Sequence, residues 1–394
     1  MIKNKPWNEV FFIMWFLTWA LLLIPFLFKL YLPSSGLIET YIFVSSAIAL
    51  VLNLFFYIKV SKNKFPLKKL LLYLAIISVF LLIIPPLTSS DSEYYIYSAR
   101  VFTEHGQNPY TEAYSKFTDD NFYNPISPHH WSHLTSTYGL LFTIICFFVT
   151  WAAKSSLILS LYLFKIITAI AFFSCSYLIY KITNSKRALF LFSFNPLIIF
   201  EFLVNSHNDV FMLLFILLAF YFIYKKPLNV KYAFLSILML TLSALIKYTS
   251  VLLIPIFFLI ICKSLRTKMQ KFKFSLISVF INLFIVVIFY LPFWSKKIIE
   301  RLQIQSDFYY TIIASPFIII ANKKINIKND IIKYSTLTML SLVLFFFTWM
   351  PPWYYIVLLA LIFAREGLSK YNKEFLNLSY LFTFLAILNY LILR

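Results

Sequence analysis

Long apolar segments separated by short polar connections run through nearly the whole chain. A segment of about 20 apolar residues can cross the roughly 30 Å hydrocarbon layer of a bilayer as one helix. With a cytoplasmic N-terminus, the pattern predicts thirteen crossings, near residues 10–30, 37–58, 70–88, 158–180, 188–204, 209–224, 232–247, 249–262, 274–292, 307–322, 332–349, 353–364 and 375–392. We therefore expect an all-α polytopic membrane protein.

The apolar segment at residues 138–153 does not fit this alternation of sides. If it crossed the membrane, the basic run at 181–187 would lie outside, against the rule that positive loops stay inside. We interpret it as a re-entrant or outer-leaflet helix, which is tolerable when it is buried in protein or faces a water-filled cavity. Residues 89–137 then form a long extracytoplasmic loop.

Charge fixes the expected orientation of these segments. The chain has 35 Lys and Arg against 15 Asp and Glu, with a formal net charge of +20. The basic residues cluster between apolar segments, as cytoplasmic loops do, rather than on one soluble face as in a nucleic-acid binder. The six basic runs are 59–69, 181–187, 225–231, 263–273, 323–333 and 365–374.

Composition leaves little room for a soluble domain. Of 394 residues, 61% are hydrophobic and 13% charged, whereas soluble domains average about 45–50% apolar and 25% charged. We expect one transmembrane domain over 1–394, with two spans in 1–69, the long loop and its flanking helices in 70–264, and C-terminal helices in 265–394. The three cysteines lie within or beside apolar segments and predict no disulfide scaffold.

Two polar positions on the predicted outer face are candidates for chemistry. Asp91 follows the third crossing, where it is either a helix cap or a functional carboxylate at the membrane boundary. The turn His207-Asn208-Asp209 interrupts an apolar stretch, and such groups near hydrocarbon are costly and commonly functional. Its alternative role is again a helix cap.

Lys247 lies inside an apolar segment with no charged neighbour in the sequence. Its ammonium must either reach an interface along its own stem or meet an anion such as a phosphate.

Two further motifs give weaker signals. His129 and His133 have the i,i+4 spacing of zinc ligands on a helix, although a structural role fits them as well. Trp353 and Tyr354 belong to an aromatic stretch that fits either the interfacial belt of a membrane protein or a platform for a sugar ring.

Four blocks in matching order resemble GT-C-fold glycosyltransferases, most closely the polyprenol-phosphate-mannose-dependent alpha-1,6-mannosyltransferases of bacterial envelopes. The resemblance covers roughly residues 85–364 and departs from the family at Leu140, where Pro is usual, and at Asn205-Ser206, where paired glycines are usual. The blocks are Pro85 to Asp91 with Gly106 to Tyr110; Trp131 with Thr137 to Phe142; Asn195 to Leu197 with Asn205 to Asp209; and Leu245 to Thr249 with Pro255.

The resemblance implies a GT-C-like bundle in the plasma membrane with an extracytoplasmic active site, a catalytic core in 70–264 and two extra N-terminal spans in 1–69. Its expected activity is inverting transfer of a hexose, mannose by the match, from a polyprenyl-phosphate donor to a glycan or glycolipid acceptor. Asp91 matches the family's general base. Donor phosphate or sugar binding is expected at Lys247, His207, Asn208, Asp209, Tyr138 and Arg100, and no cofactor is expected with certainty, a divalent cation being left open.

Two other classes of function remain as alternatives. A transporter or flippase for a lipid-linked sugar would also need intramembrane polar groups and broken helices. Against it, the sequence has no internal repeat, and its polar residues gather on one predicted face. A non-enzymatic scaffold would not need Asp91, His207-Asn208-Asp209 and Lys247 on the same side.

Overall fold

A computed structural model describes residues 7–31, 36–61, 65–123, 131–154, 156–225, 227–295, 326–345, 351–368 and 373–392. Within these ranges every regular element is helical and no strand occurs, so the all-α prediction is confirmed for them. The helices are α1 (Trp7–Ala20), α2 (Leu23–Tyr31), α3 (Gly36–Val60), α4 (Leu67–Ile83), α5 (Asp91–Thr103), α6 (Leu140–Ala153), α7 (Leu157–Thr183), α8 (Lys186–Ser193), α9 (Pro196–Ile199), α10 (Asp209–Ile223), α11 (Val230–Ala244), α12 (Leu253–Ser264), α13 (Lys268–Tyr290), α14 (Ile327–Phe345), α15 (Tyr355–Leu368) and α16 (Lys373–Ile392).

Several helices have the length and apolarity that membrane crossing requires. In the described part of the chain they are Phe12–Tyr31, Gly36–Val60, Leu157–Thr183, Lys268–Phe293 and Glu374–Leu391. A bent pair, Lys186–Ser193 with Pro196–Val204, adds a sixth if it counts as one span. These helices support a membrane protein. The number of thirteen crossings stays a prediction, and the crossing expected at 307–322 lies outside the described residues.

Shorter apolar helices make up much of the remainder. They are Leu140–Ala153, Asp209–Ile223, Val230–Ala244 and Tyr248–Ser264. At 1.5 Å per residue, the 14 residues of α6 extend about 21 Å, less than the roughly 30 Å of hydrocarbon. That length fits the interpretation of residues 138–153 as a helix that does not cross, which itself stays a prediction.

The chain divides into two compact units assembled from distant segments. Unit 1 comprises Met1–Ser89, Lys165–His207 and Phe346–Arg394, and unit 2 comprises Ser90–Phe164 and Asn208–Phe345. Two of the boundaries fall at sequence-predicted site residues, since unit 2 starts one residue before Asp91 and resumes directly after His207.

A break in unit 1 separates α8 from α9 and has a local cause. The Asn195 side chain accepts hydrogen bonds from the Leu197 and Ile198 backbone N–H groups and so starts a new helix. Pro196 occupies the first helical position, where its missing N–H is no loss. The new helix continues as a π-helical turn, Phe200–Val204, which ends at Asn205.

In unit 2, α5 is a polar helix that is buried along almost its whole length, from Asp91 to Val101. It packs against α6, where the Tyr95 and Phe142 rings meet edge to face at 4.8 Å. Ring pairs of this geometry add to the stabilisation that burial provides. The first turn of α5 is therefore held inside the protein, which makes a carboxylate there part of an internal site.

Candidate active site

Asp91 is the first residue of α5 and is buried, with 8% of its surface exposed. Ser90 takes the cap position, so Asp91 is not the cap of a helix that begins at Ser92. The Tyr95 and Tyr138 hydroxyls donate to Asp91 Oδ2 over 3.4 and 3.3 Å. Hydroxyl hydrogen bonds usually measure about 2.7–2.8 Å, so both contacts are long.

Asn208 is fully buried immediately before α10 and shares a partner with Asp91. Its Oδ1 lies 3.4 Å from the Tyr95 hydroxyl, and its side chain makes no cap bond to the helix. Its Nδ2 has no hydrogen-bond partner among the described residues. Because buried polar groups are nearly always hydrogen-bonded, this amide is a donor that a bound oxygen ligand would satisfy.

Lys247 and Asp209 form a buried ion pair in the same unit. The Lys247 Nζ donates to Oδ1 and Oδ2 of Asp209 at 3.0 and 2.9 Å, and the two side chains are 10% and 1% exposed. Of the two roles expected for Lys247, contact with an anion is the one observed, and the anion is a protein carboxylate. The pair is neutral overall, and the two hydrogen bonds fix the direction of the ammonium.

His207, in unit 1, is fully buried and held on two sides. Its Nε2 lies 3.0 Å from Glu201 Oε2, and its ring stacks on the Trp353 ring at 3.9 Å with 21° between planes. One face of Trp353, an expected sugar platform, is therefore covered by the imidazole. The neighbouring Tyr354 is half-buried.

Glu201 is a buried carboxylate beside His207 that our sequence analysis missed. It lies fully buried in the π-helical turn Phe200–Val204, and its backbone carbonyl accepts from the His207 N–H at 2.9 Å. A single carboxylate within an apolar stretch was the available signal, because such a group is costly unless it is paired. The sequence does not show that the turn folds back to bring His207 onto it.

Two more side chains fix this turn within unit 1. The Asn205 Oδ1 accepts from the Leu87 and Thr88 N–H groups at 3.2 and 3.3 Å. The Lys165 ammonium, 1% exposed, donates to the backbone carbonyls of residues 203 and 204 at 2.6 and 2.9 Å. A cation at a helix C-terminus satisfies carbonyls that have no partner in the helix and complements the helix dipole.

A family model described as MptA_B family, alpha-(1->6)-mannopyranosyltransferase, N-terminal domain, matches residues 24–263, which is more than half of the chain. The chain belongs to this mannosyltransferase family. The resemblance noted from the sequence is thereby confirmed, and with it the glycosyltransferase class. Comparisons with curated proteins and with solved structures each gave no match.

The matched region of this mannosyltransferase family contains nearly all of the candidate site. Asp91, Tyr138, Lys247 and the turn at 207–209 fall within residues 24–263, as does the newly found Glu201. Trp353 and Tyr354 lie beyond it. The roles of these individual residues therefore rest on geometry and chemistry.

The backbone at Ser206 bears on one of the two departures from the mannosyltransferase pattern, namely Asn205-Ser206 in place of paired glycines. It adopts a φ of 60°, in the left-handed region that favours glycine. Paired glycines, usual in the family at this place, would adopt that backbone without strain. In this chain a serine adopts this backbone, and the side chain of the preceding Asn205 accepts hydrogen bonds from the segment that leads to Asp91.

Arg100 lies in a separate buried network of unit 2. Its Nε donates to both oxygens of Asp120 at 3.0 and 3.1 Å, and its guanidinium lies 3.7 Å from the Phe122 ring centroid. Asp120 also accepts from His105, Tyr114 and the Phe122 N–H. Burial alone raises the pKa of the Asp120 carboxyl, but these hydrogen bonds outweigh burial and the pKa lies below its ordinary value.

The histidine pair considered for zinc stays a prediction. His129 and His130 lie outside the described residues, while His133 lies within them. In the described part of the chain, no group of three or more His, Cys, Asp or Glu side chains is placed to hold a metal ion. A divalent cation is left as open as it was from the sequence.

Proposed function

We propose that this chain transfers a hexose, mannose on the family assignment, from a polyprenyl-phosphate donor to a hydroxyl of a glycan or glycolipid acceptor. The observation that carries the proposal is the buried Asp91 carboxylate at the start of α5, with two phenols on one oxygen. A general base needs hydrogen-bond reach to the proton that it removes. An ionised carboxylate has about four acceptor sites, so Asp91 can accept this bond in addition to those from the phenols.

The proposed reaction is a single displacement with inversion. Asp91 takes the proton of the acceptor hydroxyl while that oxygen forms a bond to the anomeric carbon of the sugar. The bond from the anomeric carbon to the phosphate oxygen breaks on the opposite face, through an oxocarbenium-like transition state. The electron pair leaves with the polyprenyl phosphate, which departs as an anion and needs no strong general acid.

A phosphate leaving group needs positive charge and hydrogen-bond donors. Within unit 2 we propose Asn208 and Lys247 for this role, because the Asn208 Nδ2 is a buried donor with no described protein acceptor. Asp209 holds the Lys247 ammonium over two hydrogen bonds and so orients it. Tyr138 acts on the acceptor side by directing its hydroxyl to the Asp91 carboxylate.

The other expected site residues receive proposals from their contacts. His207 and Glu201 form a buried pair that fixes the chain where it enters Asn208. For Trp353 and Tyr354 we keep the proposal of a sugar platform. Arg100, which we expected to bind the donor, orders the outer loop through Asp120 in our proposal.

The membrane has a chemical role in this scheme. The donor carries a long apolar polyprenyl tail, so its phosphate and sugar stay at the membrane boundary while the tail lies among the helices. We propose the predicted topology with thirteen crossings, the N-terminus in the cytoplasm and the active site at the outer face of the plasma membrane. The alternative function is a transporter or flippase for a lipid-linked sugar.

One experiment separates the two functions. Purified protein in lipid nanodiscs would receive polyprenyl-phosphate-mannose and a panel of glycolipid acceptors, with empty nanodiscs as control. Transfer predicts acceptor-dependent release of polyprenyl phosphate and a product whose anomeric configuration is opposite to that of the donor. Movement of intact donor between leaflets of proteoliposomes, with no release on any acceptor, would replace the transferase with the flippase.

A further inference from the structure

Tyr138 bonds Asp91 from a segment that has no helix of its own. The residue lies between a loop and the start of α6, whose cap position is Gly139. A phenol on such a segment can hold a fixed place only if its backbone is held by other elements. Two residues, Gly139 and Tyr110, hold it within unit 2.

Gly139 brings the Tyr138 segment into direct backbone contact with the end of α11. Its N–H donates to the Ile246 carbonyl at 3.0 Å, and the Leu141 N–H donates to the Leu245 carbonyl at 2.9 Å. A Cβ on Gly139 would lie 2.3 Å from the Leu245 carbonyl oxygen and 2.4 Å from its carbon. Real Cβ atoms essentially never come so near to backbone, so any side chain here would separate the two segments.

The backbone conformation of Gly139 shows why a glycine stands at this position. Its φ of −69° and ψ of 154° are ordinary extended values that any residue adopts. Freedom of the backbone is therefore not the reason for glycine at this place. Close approach to Leu245 is the reason.

Tyr110 holds the same segment from the other side. Its hydroxyl donates to the Tyr138 carbonyl at 3.1 Å and lies 3.0 Å from the Thr143 Oγ1. The side chain is 2% exposed, in a cluster with Leu140 and Leu245. A buried tyrosine needs such partners for its hydroxyl, and here they are the backbone before α6 and the first turn of α6.

These contacts close a ring around the candidate site. From Asp91 the ring passes through Tyr138 and Gly139 to Ile246, whose chain neighbour is Lys247. It returns through Asp209 and Asn208 to Tyr95, whose hydroxyl reaches Asp91 again. The links are bonds of the chain and hydrogen bonds, with the single Tyr95 hydroxyl proton shared between the Asp91 and Asn208 oxygens, and every member belongs to unit 2.

From this ring we infer that Gly139 and Tyr110 are positioning residues of the transfer reaction. They set the distance between the carboxylate that takes the acceptor proton and the ammonium that faces the leaving phosphate. This inference rests on the proposed function. A misplacement of about 1 Å costs on the order of 10²-fold in rate when it separates reacting groups, and the added Cβ at Gly139 would force a shift of that size.

The first test is a set of kinetic cycles in nanodiscs. Tyr110→Phe removes one hydroxyl and adds no atoms, and we expect it to lower kcat about tenfold while KM for the acceptor changes little. The double variant Tyr110→Phe/Tyr138→Phe should have the same kcat as Tyr138→Phe alone, because both changes act through the same phenol. Gly139→Ala should lower kcat more strongly.

The matched controls are Tyr41→Phe, on an exposed ring, and Gly36→Ala, where a Cβ meets nothing within 4 Å. Both should keep wild-type kcat. A kcat for Tyr110→Phe equal to that of Tyr41→Phe, or effects of Tyr110→Phe and Tyr138→Phe that multiply, would overturn the inference. A purely structural role would lower thermal stability without this coupling.

A second measurement does not depend on turnover. Fluorine NMR of 3-fluorotyrosine placed at position 138 reports the environment of the phenol. We expect Gly139→Ala and Tyr110→Phe each to move this resonance toward its position in the Asp91→Asn variant. An unmoved resonance would overturn the inference, whereas moved resonances in a protein that transfers no sugar would count against the proposed function alone.

Discussion

The Lys247 ammonium lies 3.0 and 2.9 Å from the two carboxylate oxygens of Asp209, and both side chains are buried. The two residues are 38 positions apart, Lys247 shortly after the end of α11 and Asp209 at the start of α10. A buried pair of this kind is expensive to break, because removal of one partner leaves the other charge in a medium of low polarity. The pair therefore links the stability of unit 2 to the candidate site.

Lys247→Met should destabilise the protein by about 3–5 kcal/mol, since it leaves the Asp209 charge without its ammonium. Adding Asp209→Asn should recover most of that loss but not the transfer activity. Thermal unfolding in one detergent measures the first effect and product formation measures the second. Lys69→Met, which breaks the exposed pair with Glu9, is the matched control and should stay near wild type. Equal stability of Lys247→Met and Lys69→Met would contradict the role of the buried pair.

Asn208→Asp tests the donor side of the proposal. It keeps the size of the side chain but replaces an N–H donor by an oxygen that repels phosphate, so KM for the polyprenyl-phosphate donor should rise about tenfold or more. Asn121→Asp makes the same exchange at an exposed loop position and should leave KM unchanged. If the two variants bind the donor equally well, the Asn208 amide does not contact the phosphate.

Ser206 provides a test of backbone strain. Because its φ is 60°, Ser206→Gly should be more stable than Ser206→Ala by about 1 kcal/mol. At Ser46, in the middle of α3, the order should reverse by a similar amount, since glycine is a poor helix former. Neither serine hydroxyl has a hydrogen-bond partner among the described residues, so the comparison isolates the backbone. The same order of stabilities at both positions would show that strain at Ser206 is negligible.

The stability of the loop that contains Asp120 should depend on pH. Its pKa is held below the ordinary value, so the stabilisation is fully present above the unfolded pKa of about 3.9 and is lost as the pH falls through the folded pKa. Limited proteolysis of the loop should therefore accelerate only in acid. Asp120→Asn should make the rate high and nearly independent of pH over the same window, and a wild-type profile in that variant would contradict the network.

Much of the fold class was accessible from the sequence alone. Apolar segments of 20 or more residues predict helices such as Gly36–Val60 and Leu157–Thr183, both of which are present. The number of crossings was harder, because helices such as α10 and α11 have only 15 residues each. At that length, apolarity alone does not distinguish a crossing from a helix buried in protein.

The candidate site was predictable as a set of residues but not as a set of contacts. Asp91, Asn208 and Lys247 were found because polar groups in apolar surroundings are costly. Which partner each side chain contacts depends on segments that only folding brings together. From the sequence we expected the Lys247 ammonium to reach an interface or an anion such as a phosphate, and Asp209 was not identified as that anion. Glu201 and Lys165 were missed for the same reason, since each contacts groups of a turn that only the fold creates.

The variant Asp91→Asn tests most directly whether Asp91 acts as the general base. Single-turnover rates of polyprenyl phosphate release, with donor and acceptor both saturating, would be compared for wild type, Asp91→Asn and the exposed-carboxylate control Asp119→Asn. We predict that release falls about 10²–10⁴-fold in Asp91→Asn, as for loss of a general base, and stays at wild-type rate in Asp119→Asn. Equal rates in all three proteins would remove Asp91 from the mechanism.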